Sequence, residues 1–223
     1  KIFLETKKPD YLTRTEIKMI HLYAAPTTNG IRVKVTLDEC DLKYELHKVD
    51  MKLGDHKSPE FLALNPMGMT PVIVDENGPR GQNVTIAQSI GIMFYLAEKI
   101  DNFIPKDSVN RQMFWDRMMN AATDIGPTYG AISFIGRAKQ PHKKTREGFL
   151  GRLKENYRVW DKWLTSQTFC VGEEITICDF ALFGVYARTL VLLPDTVQGL
   201  PNLKRWYNLM NLRSGVQKGQ IFD

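Results

Sequence analysis

The stretch that decides the fold is Asn65-Pro-Met-Gly-Met-Thr-Pro-Val-Ile-Val-Asp75. Its apolar end, Val72–Asp75, has strand character, and turn-forming residues connect it to a second apolar run, Val84-Thr-Ile-Ala87, so this part predicts a β-hairpin. On the other side, Ser58-Pro-Glu-Phe-Leu predicts a short helix with serine as its cap and proline in its first position. That helix must end before Pro66.

Further outward, two more strands and one helix complete a small mixed α/β unit. The runs Met19–Tyr23 and Tyr44–Val49 have strand character, and apolar residues recur at helical spacing from Ser89 to Lys99. The run from Ile31 to Leu37 fits both a strand and one face of a helix, and its alternation favours a strand.

The second half of the chain has helical spacing throughout. A polar, proline-containing connector follows residue 100, and Thr176-Ile-Cys-Asp179 predicts a capping box before an apolar helix over 180–190. We therefore expect an N-terminal arm at 1–18, an α/β domain at 19–100, an all-helical domain at 108–215 and a C-terminal tail at 216–223.

Composition excludes several classes of protein. The 223 residues are 43% hydrophobic and 25% charged, which is ordinary for a globular chain and unlike disordered or fibrous sequences. Three cysteines and four histidines show neither disulfide nor metal-ligand spacing, and no phosphate-binding glycine loop or membrane-length apolar run occurs. We expect a cytoplasmic protein with no metal, no membrane association and no nucleic-acid partner.

The net charge of +5 has one local source. Residues 1–100 are electrically balanced, whereas residues 137–158 carry eight basic and two acidic side chains. A local cluster of this kind is suited to attracting a small anion. The alternative is a lysine-rich helix face exposed to solvent.

Four motifs occur in a fixed order across the two halves: Pro26-Thr-Thr-Asn-Gly30, the 65–75 stretch, Ile86-Ala-Gln-Ser89 and Thr176-x-x-Asp179. This arrangement resembles the cytosolic glutathione transferases from Met19 to Arg213, and the first loop is most similar to the Nu-class, disulfide-reducing branch. The resemblance implies a thioredoxin-like domain followed by an all-α domain, a homodimer, and glutathione as co-substrate. It also implies a helix at Arg32–Cys40, against the alternation.

The resemblance places the catalytic groups in the first loop. A thiol with a pKa of about 8.5 is mostly protonated at neutral pH, so the enzyme must stabilise the thiolate. The Thr27 hydroxyl, the Asn29 amide or the backbone N–H groups of Asn29 and Gly30 are the candidate donors, and the following helix adds its partial positive charge. Thr27 stands where some redox-active relatives have cysteine, so the attacking sulfur is expected to be that of glutathione. Taken alone, the loop would be only a turn.

The resemblance places the glutathione backbone on two further segments. Thr70, before a cis Pro71, would offer its backbone to the cysteinyl part. Gln88 and Ser89 would hold the γ-glutamyl end, with Ser89 capping a helix whose N-terminus favours anions. Gln88 stands where Nu-class relatives usually have glutamate.

Four more residues are weaker candidates. His56 matches a position that contacts the glycyl carboxylate of glutathione in related classes, and Arg152 aligns with an arginine that Nu-class members use near the glutathione site, although each also fits a solvent-exposed residue. Trp115 and Tyr129 lie where the family walls its electrophile pocket, although aromatic residues at helical spacing are more often core. Met69, in contrast, stands where many relatives have a polar or basic residue, so a side-chain contact to glutathione is expected to be missing there.

The resemblance implies a transferase that presents glutathione thiolate to an electrophile or a small disulfide. The alternative is a non-catalytic protein-interaction module on the same fold.

Overall fold

The computed structural model describes residues 18–222, and the first part of it is a four-stranded sheet with helices. The strands lie in the order β2-β1-β3-β4, with β1 parallel to β2 and antiparallel to β3, and β3 antiparallel to β4. The elements of this part are β1 (Ile20–Ala24), α1 (Thr28–Glu39), β2 (Tyr44–Lys48), α2 (Pro59–Leu64), β3 (Val72–Asp75), β4 (Val84–Ile86) and α3 (Ser89–Lys99).

Residues 31–37 form part of α1, so the strand favoured by their alternation is wrong and the helix implied by the resemblance is correct. Every residue from Gly30 to Leu37 is buried, because α1 packs against the sheet domain on one side and against helices of the second half on the other. The polar members of the alternation, Arg32, Lys34 and Thr36, are buried together with the apolar ones, so polarity along this helix does not mark an exposed face with a 3.6-residue period.

The local signals elsewhere predicted the elements correctly. The β3–β4 hairpin forms as expected, and the Ser58 hydroxyl accepts a hydrogen bond from the N–H of Phe61 at the start of α2. The capping box of Thr176 and Asp179 is present, and its helix extends beyond the predicted 180–190.

The second half is helical, as predicted. Its helices are α4 (Ser108–Met119), α5 (Gly126–Gly136), α6 (Lys143–Trp163), α7 (Ile177–Leu192), α8 (Pro201–Asn211) and α9 (Ser214–Gly219), with a π-helical turn, Asn120–Ile125, between α4 and α5. The core centres on α7, whose side chains are buried from Ile177 to Ala187.

The predicted tail at 216–223 requires a correction, because its first residues belong to α9. This helix docks on α1: Arg213 pairs with Glu39 at 2.6 Å, and the ammonium of Lys34 donates to the carbonyl of Lys218 at 2.7 Å. Two glycines in six residues and the lack of an apolar stripe hide this helix from sequence patterns.

The predicted arm at 1–18 lies, apart from Lys18, outside the described residues. Within residues 18–222, no helix combines the length and apolarity that crossing a bilayer requires.

Candidate active site

The strand register brings four separate segments to one edge of the sheet. Tyr23 pairs with Val72, so the end of β1 lies beside the start of β3. Strand β2 runs parallel to β1 and ends at the same edge, as does β4, whose Ile86 pairs with Ile73. The segments that begin or end at this edge carry Thr27, Asn29, His56, Thr70, Pro71, Gln88 and Ser89.

Thr27 is the N-cap of α1. Its Oγ1 accepts a hydrogen bond from the N–H of Gly30 at 3.1 Å, which leaves the hydroxyl proton free to be donated. The N–H of Gly30, one of the predicted sulfur donors, is therefore already used, whereas the first-turn N–H groups of Thr28 and Asn29 have no intrahelical partner. A Cβ at Gly30 would overlap the carbonyl oxygen of Ala25, so this tight loop requires glycine.

The Thr70–Pro71 peptide bond is cis, as the resemblance implied. Buried Asn65 shapes the loop before it: its side-chain amide donates to the carbonyl of Met69 at 2.7 Å, and its Oδ1 accepts from the N–H of Met67 at 3.1 Å. Thr70 is buried, and within residues 18–222 its backbone N–H and C=O have no hydrogen-bond partner. This backbone is free to pair with an extended peptide.

The N-terminus of α3 lies next to this backbone. Gln88 is its N-cap residue and makes no side-chain cap, so Ser89 is the first helical residue and does not cap the helix as predicted. The first turn of α3 contains no acidic residue that could satisfy its free N–H groups. An uncapped helix N-terminus of this kind is suited to a carboxylate.

His56 lies on a short helical turn, Asp55–Lys57, that contacts the 65–71 loop: a Cβ at Gly68 would be 2.9 Å from the carbonyl oxygen of His56. Its Nδ1 is inaccessible to solvent and has no hydrogen-bond partner among residues 18–222. Buried ring nitrogens without a partner are rare in folded proteins. Arg152 instead forms an ion pair with Asp124 at 3.0 Å on the helical half, so its role at the glutathione site stays a prediction.

The two pocket candidates differ in exposure. Trp115 on α4 is 40% exposed and stacks on Phe94 of α3, with ring centroids 5.1 Å apart. Tyr129 is buried and belongs to the core.

All three cysteines are reduced and buried. Burial, and then the neighbouring Glu39, raises the pKa of Cys40 to about 12, and burial raises the pKa of Cys170. Because only a thiolate is a good nucleophile, neither thiol is suited to attack a substrate.

Arg32 is a candidate that sequence reasoning missed. It is buried on α1, where its backbone nitrogen and Cβ lie against Gly184 of α7 and its guanidinium lies near Gly126 of α5. No residue of the described chain accepts a hydrogen bond from its Nε. Burial lowers its pKa to about 10, so it stays charged at neutral pH. The only signal in the sequence is an arginine within an apolar run, which does not show where its side chain lies.

Two family models match the chain. The model described as "Glutathione S-transferase, N-terminal domain" matches residues 18–98, and the one described as "Glutathione S-transferase, C-terminal domain" matches residues 125–213.

Individual relatives match over most of the chain. The protein named Disulfide-bond oxidoreductase YfcG of Escherichia coli (strain K12) is 32% identical over 91% of this chain and 94% of its own. A glutathione transferase of Burkholderia graminis, solved with two glutathione molecules per subunit, is 30% identical with a TM-score of 0.84, covering 91% of this chain and 88% of its own. One from Pseudomonas putida, solved with one glutathione disulfide per subunit, is 30% identical with a TM-score of 0.84, covering 93% of both chains.

These matches confirm the resemblance drawn from the four ordered motifs. They span both halves of the chain, and relatives of the disulfide-reducing branch are among them by name. The chain belongs to the glutathione S-transferase family.

Proposed function

We propose that this protein binds glutathione at the sheet edge described above, stabilises its thiolate, and presents it to an electrophile or a small disulfide. The observation that carries the proposal is the convergence of three sets of donors at one edge: the N-terminus of α1, the unpaired backbone of Thr70 and the uncapped N-terminus of α3. Each matches one part of the tripeptide.

The sulfur is assigned to the N-terminus of α1. The free hydroxyl proton of Thr27, the side-chain amide of Asn29 and the N–H groups of the first turn all favour an anion there. The positive charge of Arg32, a buried residue about one helical turn further along α1, acts in the same direction. Together, these donors and the positive charge of Arg32 lower the pKa of the bound glutathione thiol.

The rest of glutathione extends across the other two sets. Thr70 pairs with the cysteinyl backbone, the first turn of α3 with Ser89 holds the γ-glutamyl carboxylate, and the amide oxygen of Gln88 accepts from the γ-glutamyl ammonium. His56 is assigned to the glycyl carboxylate, and Arg152 to the surroundings of the glutathione site. Trp115 lines the side from which the second substrate enters, whereas the buried Tyr129 packs in the core and is not assigned to the pocket.

Disulfide reduction then needs no sulfur from the protein. The bound glutathione thiolate attacks one sulfur of the substrate disulfide, a new S–S bond forms, and the substrate's other sulfur leaves as a thiolate. A second glutathione thiolate attacks the glutathione sulfur of this mixed disulfide, which releases the second substrate thiolate and glutathione disulfide. The solved relatives with two glutathiones or one glutathione disulfide per subunit support this sequence.

The finer assignments are part of the same proposal. We place the protein in the cytoplasm as a homodimer that acts in detoxification, because the family resemblance implies it and because its buried, reduced cysteines suit a reducing compartment. Sedimentation equilibrium of the full chain tests the dimer: a mass of about 25.6 kDa, that of one chain, would contradict it.

The test is the pKa of the bound thiol in Thr27 variants, read from ultraviolet thiolate absorbance against pH. A hydrogen bond to a charged group contributes about 1.5–3 kcal/mol, so Thr27→Val should raise that pKa by about 1–2 units. Thr27→Ser keeps both the helix cap and the donor and should behave like the wild type.

Two further results decide the proposal. The double variant Thr27→Ala, Asn29→Ala should lose most of its glutathione-dependent activity on both a chlorinated aromatic electrophile and a small disulfide. Full activity would contradict the catalytic assignment. A protein that is not retained on immobilised glutathione would favour the non-catalytic alternative.

A further inference from the structure

A cluster of histidine and glutamate side chains lies on β1 and β2 and shares no residue with the proposed glutathione site. In the parallel register of β1 and β2, His21 is the partner of Glu45, and Tyr23 is the partner of His47. These residues alternate with the buried Ile20, Leu22 and Ala24, so their side chains share the opposite, outer face of the sheet. The side chains of His21, His47 and Glu45 are 23%, 33% and 55% exposed.

Three donor atoms of this cluster form a compact triangle. His21 Nδ1 lies 3.0 Å from His47 Nε2 and 3.3 Å from Glu45 Oε2, and His47 Nε2 lies 3.7 Å from the same carboxylate oxygen. In a tetrahedral zinc site with metal–ligand distances of about 2.0–2.2 Å, neighbouring ligand atoms are separated by about 3.3–3.6 Å. The three observed separations, 3.0, 3.3 and 3.7 Å, lie within and on either side of that range.

The same triangle fixes where an ion would lie. The point equidistant from the three atoms is about 1.9 Å from each, so an ion slightly above their plane is about 2.1 Å from all three. Because the cluster is partly exposed, water can take the fourth position.

The surroundings hold these ligands in the required orientation. The second nitrogen of His21, Nε2, lies 3.5 Å from Glu76 Oε1, and the other oxygen of Glu76 accepts a hydrogen bond from the N–H of Met19 at 2.9 Å. The ring of His47 stacks on Tyr23, with centroids 4.5 Å apart and planes 13° from parallel. A carboxylate on the outer nitrogen of a ligating histidine fixes its tautomer and strengthens it as a ligand.

We propose that His21, Glu45 and His47 form a binding site for a borderline divalent ion, with Zn²⁺ as the expected occupant and Glu76 as the supporting carboxylate. Two imidazoles and one carboxylate suit Zn²⁺ and disfavour Mg²⁺ and Ca²⁺, which take oxygen ligands. Sequence spacing did not indicate the site, because its histidines are 26 residues apart and only strand pairing brings them together. The site goes beyond the proposed glutathione chemistry and shares no residue with it.

The test uses the full, tag-free chain in glutathione-free buffer, because a histidine tag and glutathione both bind zinc. Zn²⁺ is titrated in competition with a chromophoric chelator, and Co²⁺ is titrated for its visible d–d spectrum. One ion per chain is expected, with an intense tetrahedral cobalt spectrum and no thiolate-to-cobalt charge-transfer band.

Variants locate the ion. His47→Ala and Glu45→Gln should each weaken Zn²⁺ binding at least about 100-fold, and Glu76→Gln, which leaves all three ligands in place, about 10-fold. His142→Asn is the matched control: it removes a histidine of the helical half, keeps a cap acceptor for the N–H of Thr145, and should bind as the wild type does. Far-UV circular dichroism checks that each variant is folded.

Three results would overturn the proposal. The first is a wild-type chain that does not compete for Zn²⁺. The second is binding that His47→Ala and Glu45→Gln leave unchanged. The third is a cobalt spectrum with a thiolate band, which would place the ion at cysteine.

Discussion

Gly184 should be essential for holding α1, and with it the proposed sulfur site, against the helical half. A Cβ at this position of α7 would lie 2.6 Å from the carbonyl oxygen of Thr28, 2.9 Å from the Cβ of Arg32 and 3.1 Å from the Arg32 nitrogen. Ordinary carbon contacts begin at 3.4 Å, so Gly184→Ala must push the start of α1 away by several tenths of an ångström.

The magnitude follows from two opposing effects. Overpacking a core contact costs about 1–3 kcal/mol, and here the neighbours are backbone and Cβ atoms that cannot rotate away. Alanine is a better helix former than glycine by about 1 kcal/mol, which offsets part of the loss. Because these neighbours cannot move aside, the overpacking cost should fall in the upper part of its range, about 2–3 kcal/mol, so we expect a net destabilisation of about 1–2 kcal/mol and a melting temperature lower by about 2–8 °C.

The control is Gly151→Ala in α6, where an added Cβ has no neighbour within 4 Å among the described residues. Its helix propensity alone should raise the melting temperature slightly. Calorimetry gives the stabilities, and glutathione titration of the folded proteins gives the affinities. Only Gly184→Ala should also bind glutathione more weakly, since Thr28 lies in the first turn of α1. Equal stability and equal affinity in the two variants would refute the reasoning.

Three further outcomes follow from the buried polar groups. Asp179 accepts from two backbone N–H groups and a tryptophan N–H, so Asp179→Ala should lower the free energy of unfolding by about 3–5 kcal/mol in urea titrations, and a loss below about 1 kcal/mol would contradict this. Cys40, Cys170 and Cys178 should resist maleimide in the folded protein, as judged by intact mass, and stoichiometric labelling with loss of activity would contradict the absence of a protein thiol in the mechanism. Burial raises the pKa of Asp75, but donors from a tyrosine hydroxyl, a backbone N–H and a lysine outweigh it, so the net pKa is lowered. Its stabilising effect is present above the unfolded pKa of about 3.9 and is lost as pH falls through the folded pKa. Asp75→Asn should therefore flatten the loss of stability below about pH 4, and an unchanged pH profile would count against this.

Signals that act locally could be read from the sequence. Ser58 caps its helix and Thr176 with Asp179 caps another, because capping depends on residues within one turn. The hairpin of β3 and β4 likewise follows from two apolar runs and the turn between them.

Features that depend on tertiary packing could not be predicted from the sequence. The alternation of Ile31 to Leu37 favoured a strand because α1 is buried on every side, and α9 went unrecognised because its stability comes from Glu39 and Lys34 on α1. Sequence reasoning missed Arg32 and the pair of His21 and His47 for the same reason. Their partners are set by helix docking and strand register, which spacing along the chain does not show.

The motifs predicted the segments to which glutathione is assigned, and the structure differs from that prediction in the groups that these segments offer. The N–H of Gly30 is used by Thr27, and Ser89 begins α3 without capping it. These details depend on backbone angles at the helix starts, which vary by one or two residues for the same sequence pattern.

The most direct test of the account is a crystal structure of the protein with glutathione. We expect the sulfur within about 3.5 Å of the Thr27 hydroxyl or the Asn29 side chain, the cysteinyl backbone paired with Thr70, and the γ-glutamyl carboxylate at the N-terminus of α3. Glutathione bound at another surface, or at this edge with its sulfur directed away from the start of α1, would contradict it.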